Sequence, residues 1–218
     1  MTAPVLTIDG PSGAGKGTVS RAVAKLLGWH YLDSGSIYRS LAIAVLQAGI
    51  GLEDTVEICR IANAMKLEFE CDEALIVKLD GVDISSQLAT ETTGKAASIV
   101  AAYPEVRQVL LKKQKDFQQL PGLVADGRDM GSVVFPDARF KAYLTASSEK
   151  RADRRYKQLI EKGIDANLIQ ITREIEERDL RDSQRAAAPL TIPQDALYID
   201  SSELSIQQVI EQVLNLVR

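Results

Sequence analysis

The feature that most constrains this chain lies close to its beginning. Val5-Leu6-Thr7-Ile8-Asp9 has the apolar, β-branched character of a short buried strand. A glycine-rich turn, Gly10 to Gly17, follows. Val19, Ala22, Val23, Leu26 and Leu27 then recur at helical spacing until Gly28 ends the run. Strand, glycine turn and helix in that order open an α/β fold. The turn, Gly10-Pro11-Ser12-Gly13-Ala14-Gly15-Lys16-Gly17-Thr18, fits the Gly-x4-Gly-Lys pattern of a phosphate loop. Its glycines let successive N–H groups point inward at phosphate oxygens, and the helix adds its positive dipole end. Lys16 supplies a mobile cation for the β and γ phosphates. A merely glycine-rich turn would not need a strand before it and an amphipathic helix after it. The residue after Lys16 is Gly17 rather than the Ser or Thr that holds Mg²⁺ in many such proteins, and no Asn-Lys-x-Asp guanine signature occurs. Both facts argue against a GTPase.

Further along, Asp33 or Ser34 can cap a helix running to about Gln47, and a second helix is expected over Thr55–Met65. The character then changes. Lys66–Glu70 and Ala74–Leu79 read as short strands, with Asp80-Gly81 as a hairpin turn before Val82–Ile84. An antiparallel patch inside an α/β chain reads as an insert. Helices are expected over Leu88–Ala102 and Glu105–Leu120, the second started by Pro104. Leu123-Val124-Ala125 reads as a buried strand. Phe140–Ala146 and Ala196–Asp200 are further strands, each followed by a helix, 148–162 and 205–217.

At 218 residues the chain can bury a core without disulfide or metal staples, and Cys59 and Cys71 lack metal-like spacing, so two reduced thiols in a cytoplasmic protein are expected. The longest apolar stretch, Leu41–Leu52, is too short to span a bilayer, and the N-terminus lacks the basic segment of a secretory signal. No membrane association is expected. A single histidine, His30, leaves little room for histidine triads or multi-histidine zinc sites.

A net charge of −4 argues against non-specific nucleic-acid binding, but the arginines are unevenly spread: nine of fourteen fall within 128–185, where planar cationic forks could grip phosphate. The helix around Leu168–Ser183 carries an apolar stripe at Leu168, Ile171 and Ile175. Continued at the same spacing, that stripe reaches Arg178, Asp182 and Arg185, flanked by Arg181. Unpaired charges aimed at a core would cost several kcal/mol, about 3–5 where a partner is missing. The helix is therefore expected to leave the core and wall a polar cleft with an anionic ligand; ion pairs on a solvated surface are the alternative. Asp126-Gly127-Arg128-Asp129 ends the strand at 123–125. A carboxylate there, Asp126, can act on Mg²⁺ or its waters, or belong to an ordinary strand-end turn. Arg151, Arg154 and Arg155 share one face of the helix starting near Ser148, which can be a lid over ATP or a solvated face.

Together these landmarks resemble the nucleoside monophosphate kinases and, more narrowly, the bacterial cytidylate kinase family. The resemblance is carried by Thr7 to Thr18, by Leu32-Asp33-Ser34-Gly35 with Tyr38-Arg39, and by Ala125 to Gly131 followed by Val133 to Ala138. Ala146-Ser147-Ser148 with Arg151, Arg154 and Arg155, and Glu177-Arg178-Asp179 with Arg181, Asp182, Arg185 and Pro189-Leu190, complete it. It implies a doubly wound parallel sheet with a core of 1–34, 105–149 and 167–218. An acceptor-binding insert, 35–104, would contain the small antiparallel sheet, and a short helical lid would cover 150–166. The implied reaction is ATP plus CMP or dCMP giving ADP plus CDP or dCDP, with Mg²⁺, by a monomer.

By the same resemblance, residues 10–18 with Arg151 and Arg154 would hold ATP. Ser98, Arg107 and Asp129 would contact the cytosine, and Arg39, Arg128 and Arg185 the acceptor phosphate. Arg178 and Asp182 would take the ribose hydroxyls, with Ser34 and Tyr38 nearby. Lys16, Arg128, Arg154, Arg155 and Arg185 would be catalytic, and Asp126 would serve the metal. A kinase for another small acceptor (AMP, UMP or shikimate) and a non-enzymatic nucleotide switch are the rival readings.

Overall fold

The structure, a computed structural model, describes residues 2–71, 75–161 and 163–218. In chain order its elements are β1 (Val5–Asp9), α1 (Lys16–Leu27), β2 (His30–Asp33), α2 (Ser34–Gln47) and α3 (Thr55–Ala64). β3 (Leu67–Cys71), β4 (Leu75–Leu79), β5 (Val82–Asp83), α4 (Ser85–Leu88), α5 (Glu91–Val100) and α6 (Pro104–Lys115) follow. The remainder is β6 (Leu123–Gly127), a π-helical turn at Met130–Val134, β7 (Phe140–Thr145), α7 (Ser148–Glu161), α8 (Leu168–Gln184), β8 (Leu197–Asp200) and α9 (Ile206–Val217).

Five strands form a parallel sheet in the order β2-β6-β1-β7-β8. The two central strands β1 and β6 are buried along their whole length, as apolar runs in a parallel sheet must be. Helices cover both faces. On one, Leu6, Ile8, Val124, Leu144 and Ile199 pack with Val19 and Val23 of α1 and Val209 and Val213 of α9. On the other, Val5, Leu32, Leu123 and Ala125 join a core shared with α2, α3, α5 and α6. The chain goes from β1 to one side of the sheet and, after β6, to the other. The loops at the carboxyl ends of β1, β6 and β7 therefore flank a topological switch point, where open α/β sheets bind ligands.

The antiparallel sheet β3-β4-β5 is present, and Asp80 and Gly81, both at positive φ (50° and 83°), make its tight turn between Leu79 and Val82. The expected start of β4 at Ala74 lies outside the described residues, as does Lys162 at the expected end of α7. Three expectations are corrected. The helix expected over Leu88–Ala102 is shortened to α5, Glu91–Val100, because Thr90 starts it, its side chain accepting the Thr93 N–H, and Leu88 instead closes the separate turn α4. α6 stops at Lys115 instead of Leu120. Edge strand β2 was not foreseen: its four residues lie between the Gly28 cap of α1 and Asp33, whose side chain caps α2 through the Ser36 N–H at 3.1 Å. Among the described residues no helix is long and apolar enough to cross a membrane.

Candidate active site

Gly10 leaves β1 with φ 147°, and a Cβ there would collide with the Leu144 carbonyl oxygen of the neighbouring strand, so only glycine lets the loop begin here. Gly15 precedes α1 at φ 94° and no side chain caps the helix, which leaves its first N–H groups facing a cleft of about 790 Å³. Lys16 is buried at the base of the loop, and its Nζ donates to the Pro11 carbonyl at 2.9 Å. Burial pushes the Lys16 ammonium down, Arg128 adds to that, and Asp126 opposes it. A phosphate oxygen at this position would return the lysine to its charged form.

Asp126, next to last in β6, lies close enough to Lys16 to feel its charge, and Tyr31 Oη donates to it at 3.3 Å. Burial pushes its carboxyl up, with Lys16 opposing. Asp33 is its register partner on β2 and also lines the cleft. Hard oxygen donors beside a loop built for phosphate suit Mg²⁺, and a carboxylate desolvated next to a second one would be relieved by a cation. Asp126 and Asp33 supply only two carboxylates, so phosphate oxygens and water would complete the shell.

The far half of the cleft is built on arginine–carboxylate pairs. Arg128 Nε lies 2.9 Å from Asp182 Oδ2, and Arg178 Nε lies 3.9 Å from the same oxygen. Although burial pushes the Asp182 carboxyl up, Arg128 and Arg178 hold it below the usual carboxylate range. Burial and the neighbouring Arg128 bring Arg178 down to about 9. A second knot joins Asp129 to Arg107 in a close pair and to Arg185 at 3.5 Å, while the Arg107 guanidinium lies 5.4 Å from the Tyr38 ring centre. Two carboxylates thus face four guanidiniums, and the surplus is positive. Ser98 Oγ, on the cleft wall, is buried without a hydrogen-bond partner among the described residues. An orphaned buried hydroxyl at a cleft is what a polar ligand would satisfy.

Every expected site residue lines this one cleft except Gly10, Pro11 and Arg151. Arg151 is buried beneath it as a brace. Its Nε donates to the Ala146 carbonyl (2.9 Å), one Nη to the Ser12 carbonyl (2.9 Å), and the other pairs with Asp179 (2.6 Å). Arg154 rests on the donor side, donating to the Ser201 carbonyl at 2.6 Å, and Arg155 reaches the Ala89 carbonyl at 3.4 Å. Arg39 donates to the Leu88 carbonyl, and Ser34 Oγ is already spent on Gln114 Oε1 at 2.6 Å. Sequence reasoning missed Asp33, whose place at a strand end is visible only once β2 is read. It also missed Ser201 and Leu204, in the loop after β8, and Ile206 and Val209, in the first turn of α9, all of which line the cleft. Asp9, whose carboxylate accepts the Met130 and Gly131 N–H groups at 2.8 and 2.7 Å, falls inside the Thr7 to Thr18 stretch, but nothing local in the sequence marks those partners.

Comparison with known proteins agrees with this geometry. A cytidylate kinase family model matches residues 6–218. The cytidylate kinase of Methylococcus capsulatus is 55% identical over 217 residues, covering 100% of this chain and 98% of its own. That of Klebsiella pneumoniae is 52% identical over 221 residues, covering 100% and 97%. The shikimate kinase of Acinetobacter baumannii, solved in complex with shikimate, aligns over 99% of this chain and 93% of its own; at 18% identity and a TM-score of 0.44, that likeness carries no argument. A family model running from β1 to the last residue, with relatives more than half identical end to end, leaves one assignment: the chain belongs to the cytidylate kinase family.

Proposed function

We propose that this chain transfers the γ-phosphoryl group of ATP to CMP or dCMP, giving ADP and CDP or dCDP for pyrimidine nucleotide metabolism. The observation that carries the reading is a single cleft with a phosphate loop at one end and carboxylate-held arginines at the other. Two anionic nucleotides meeting end to end need both. A nucleotide switch has no use for the second.

The acceptor phosphate oxygen is already ionised at neutral pH, so no general base is required. Alignment and stabilisation of charge spreading over the transferred group do the work. Lys16 and the N–H groups of residues 12–18 hold the donor phosphates. Arg39, Arg128 and Arg185 hold the acceptor phosphate, and Arg178 and Asp182 the ribose. Ser98, Arg107 and Asp129 read the cytosine, with Ser98 Oγ lacking a partner among the described residues in support. Asp126, assisted by Asp33, would hold Mg²⁺ directly or through water, and the ion would supply neutralisation of phosphate charge there.

Core 1–34, 105–149 and 167–218, insert 35–104 and lid 150–166 remain the working division. Across the lid boundary, Ala152 of α7 packs on Ile171 and Ile175 of α8 in a small apolar cluster apart from the two main cores. Lid closure would bring Arg154 and Arg155 toward the transferred group and exclude water. The reading includes a monomer working in the cytoplasm, since one chain furnishes the whole cleft.

Product analysis with ATP and a panel of acceptors tests it. Rapid conversion of CMP and dCMP, slow conversion of AMP, UMP and shikimate, and little ATP hydrolysis without acceptor are expected. Equal ATP turnover with and without CMP would refute it.

A further inference from the structure

We infer that Asp9 is a positioning residue, whose carboxylate ties the turn bearing Arg128 and Asp129 to the root of the phosphate loop and so fixes the acceptor against the donor. The inference rests on the proposed reading of the cleft. Asp9 is the last residue of β1, directly before Gly10. It is fully buried and does not line the cleft, so it touches neither nucleotide. Both carboxylate oxygens are committed: Oδ1 accepts the Met130 N–H at 2.8 Å and Oδ2 accepts the Gly131 N–H at 2.7 Å.

The consequence is a clamp at each end of the segment that matters. Gly127 is held by its ladder pairing with Asp9, and Met130 and Gly131 are held by the Asp9 side chain. Only Arg128 and Asp129 lie between. Arg128 reaches Asp182 on α8, and Asp129 gathers Arg107 from α6 and Arg185 from beyond α8. One side chain in the sheet therefore sets the origin of both arginine knots. The turn is packed too closely for side chains at its glycines: a Cβ on Gly131 would lie 2.7 Å from Thr7 Oγ1, and one on Gly127 would lie 2.7 Å from the Met130 side chain.

A carboxylate is the right group for this. It presents an acceptor to each of two parallel N–H groups, whereas asparagine presents one acceptor and turns an NH₂ toward the second. Burying a charge away from substrate is costly unless it is fully hydrogen-bonded, and here it is. Burial still drives the carboxyl up to about 7, against the lowering by the two amide bonds. Phosphoryl transfer is sensitive to such placement, since a misplacement of about 1 Å can cost on the order of 100-fold in rate.

The test is Asp9→Asn, with KM for CMP and for ATP measured separately. The CMP KM should rise at least about tenfold and kcat fall, while the ATP KM stays within about twofold, because Lys16 bonds the Pro11 carbonyl and the Asp9 oxygens are taken by Met130 and Gly131, not by the loop. An unchanged CMP KM and kcat, or an equal rise in both KM values, overturns the inference. Hydrogen exchange on the unaltered protein decides the matter even if the variant does not fold. Met130 and Gly131 amides should be as protected as those of β1, and exchange at open-loop rates overturns the link. Wild-type turnover of CMP, measured alongside, keeps the two readings apart. A wild-type protein inactive on CMP sinks the acceptor assignment, while the exchange of these two amides still decides the role of Asp9.

Discussion

Replacing Asp129 by asparagine removes the one negative charge between two buried guanidiniums. The Asp129 side chain is 3% exposed, and those of Arg107 and Arg185 are 9% and 7% exposed, so water cannot substitute for it. Arg185 is already under strain, burial and then Arg107 pushing its guanidinium down. Taking one partner from a buried ion pair costs about 3–5 kcal/mol. Asparagine keeps a carbonyl for one arginine, so the lower end, about 3 kcal/mol, is expected. In a domain of this size that lowers Tm by roughly 6–12 °C. Thermal unfolding of the free protein reads the first effect, and steady-state kinetics the second: KM for CMP should rise by at least about tenfold, the ATP KM changing far less. A Tm within about 2 °C of wild type, with an unchanged CMP KM, would show that the knot is neither buried nor part of the acceptor site.

Arg151→Met keeps the bulk of the side chain but strands the Asp179 carboxylate and two carbonyls, one of them in the phosphate loop. A loss of about 3 kcal/mol is expected, with a raised ATP KM, checked by denaturant unfolding and kinetics; wild-type stability would contradict the brace. The Asp9 carboxyl moves from 3.8 to about 7 on folding, mainly through burial. The folded chain thus holds that proton to higher pH than the unfolded one. Its contribution favours folding below about pH 4 and is lost as pH climbs through about 7. Unfolding free energies of wild type and Asp9→Asn should therefore diverge over that interval, and parallel pH curves would contradict the burial of this carboxyl.

The phosphate loop was legible because its chemistry is local: glycines, lysine, strand and helix are contiguous between Val5 and Leu27. The charged continuation of the α8 stripe was legible for a similar reason, since helical period alone aims Arg178 and Asp182 where Ile171 and Ile175 point; Arg185 reaches the same cleft from the extended residue that ends the helix. Other parts depended on tertiary contacts. Asp33 gains meaning only from β2 lying beside β6, and a four-residue strand has too few alternations to announce itself. Ser98 entered solely through the family resemblance, because one serine on a helix has no periodic or spacing signal. Arg151 shares a helix face with Arg154 and Arg155, yet it is buried under the loop while they face the cleft. Asp9 bonds to amides 121 and 122 residues away, a pairing that exists only when the sheet has formed.

The central claim is that donor and acceptor occupy one cleft with their phosphates toward each other. Inhibition by a cytidine–adenosine conjugate joined through a polyphosphate bridge tests it most directly. If the claim holds, the conjugate competes with both ATP and CMP and binds more tightly than either nucleotide alone. Competition with ATP only, at the affinity of an ordinary adenine nucleotide, would contradict it.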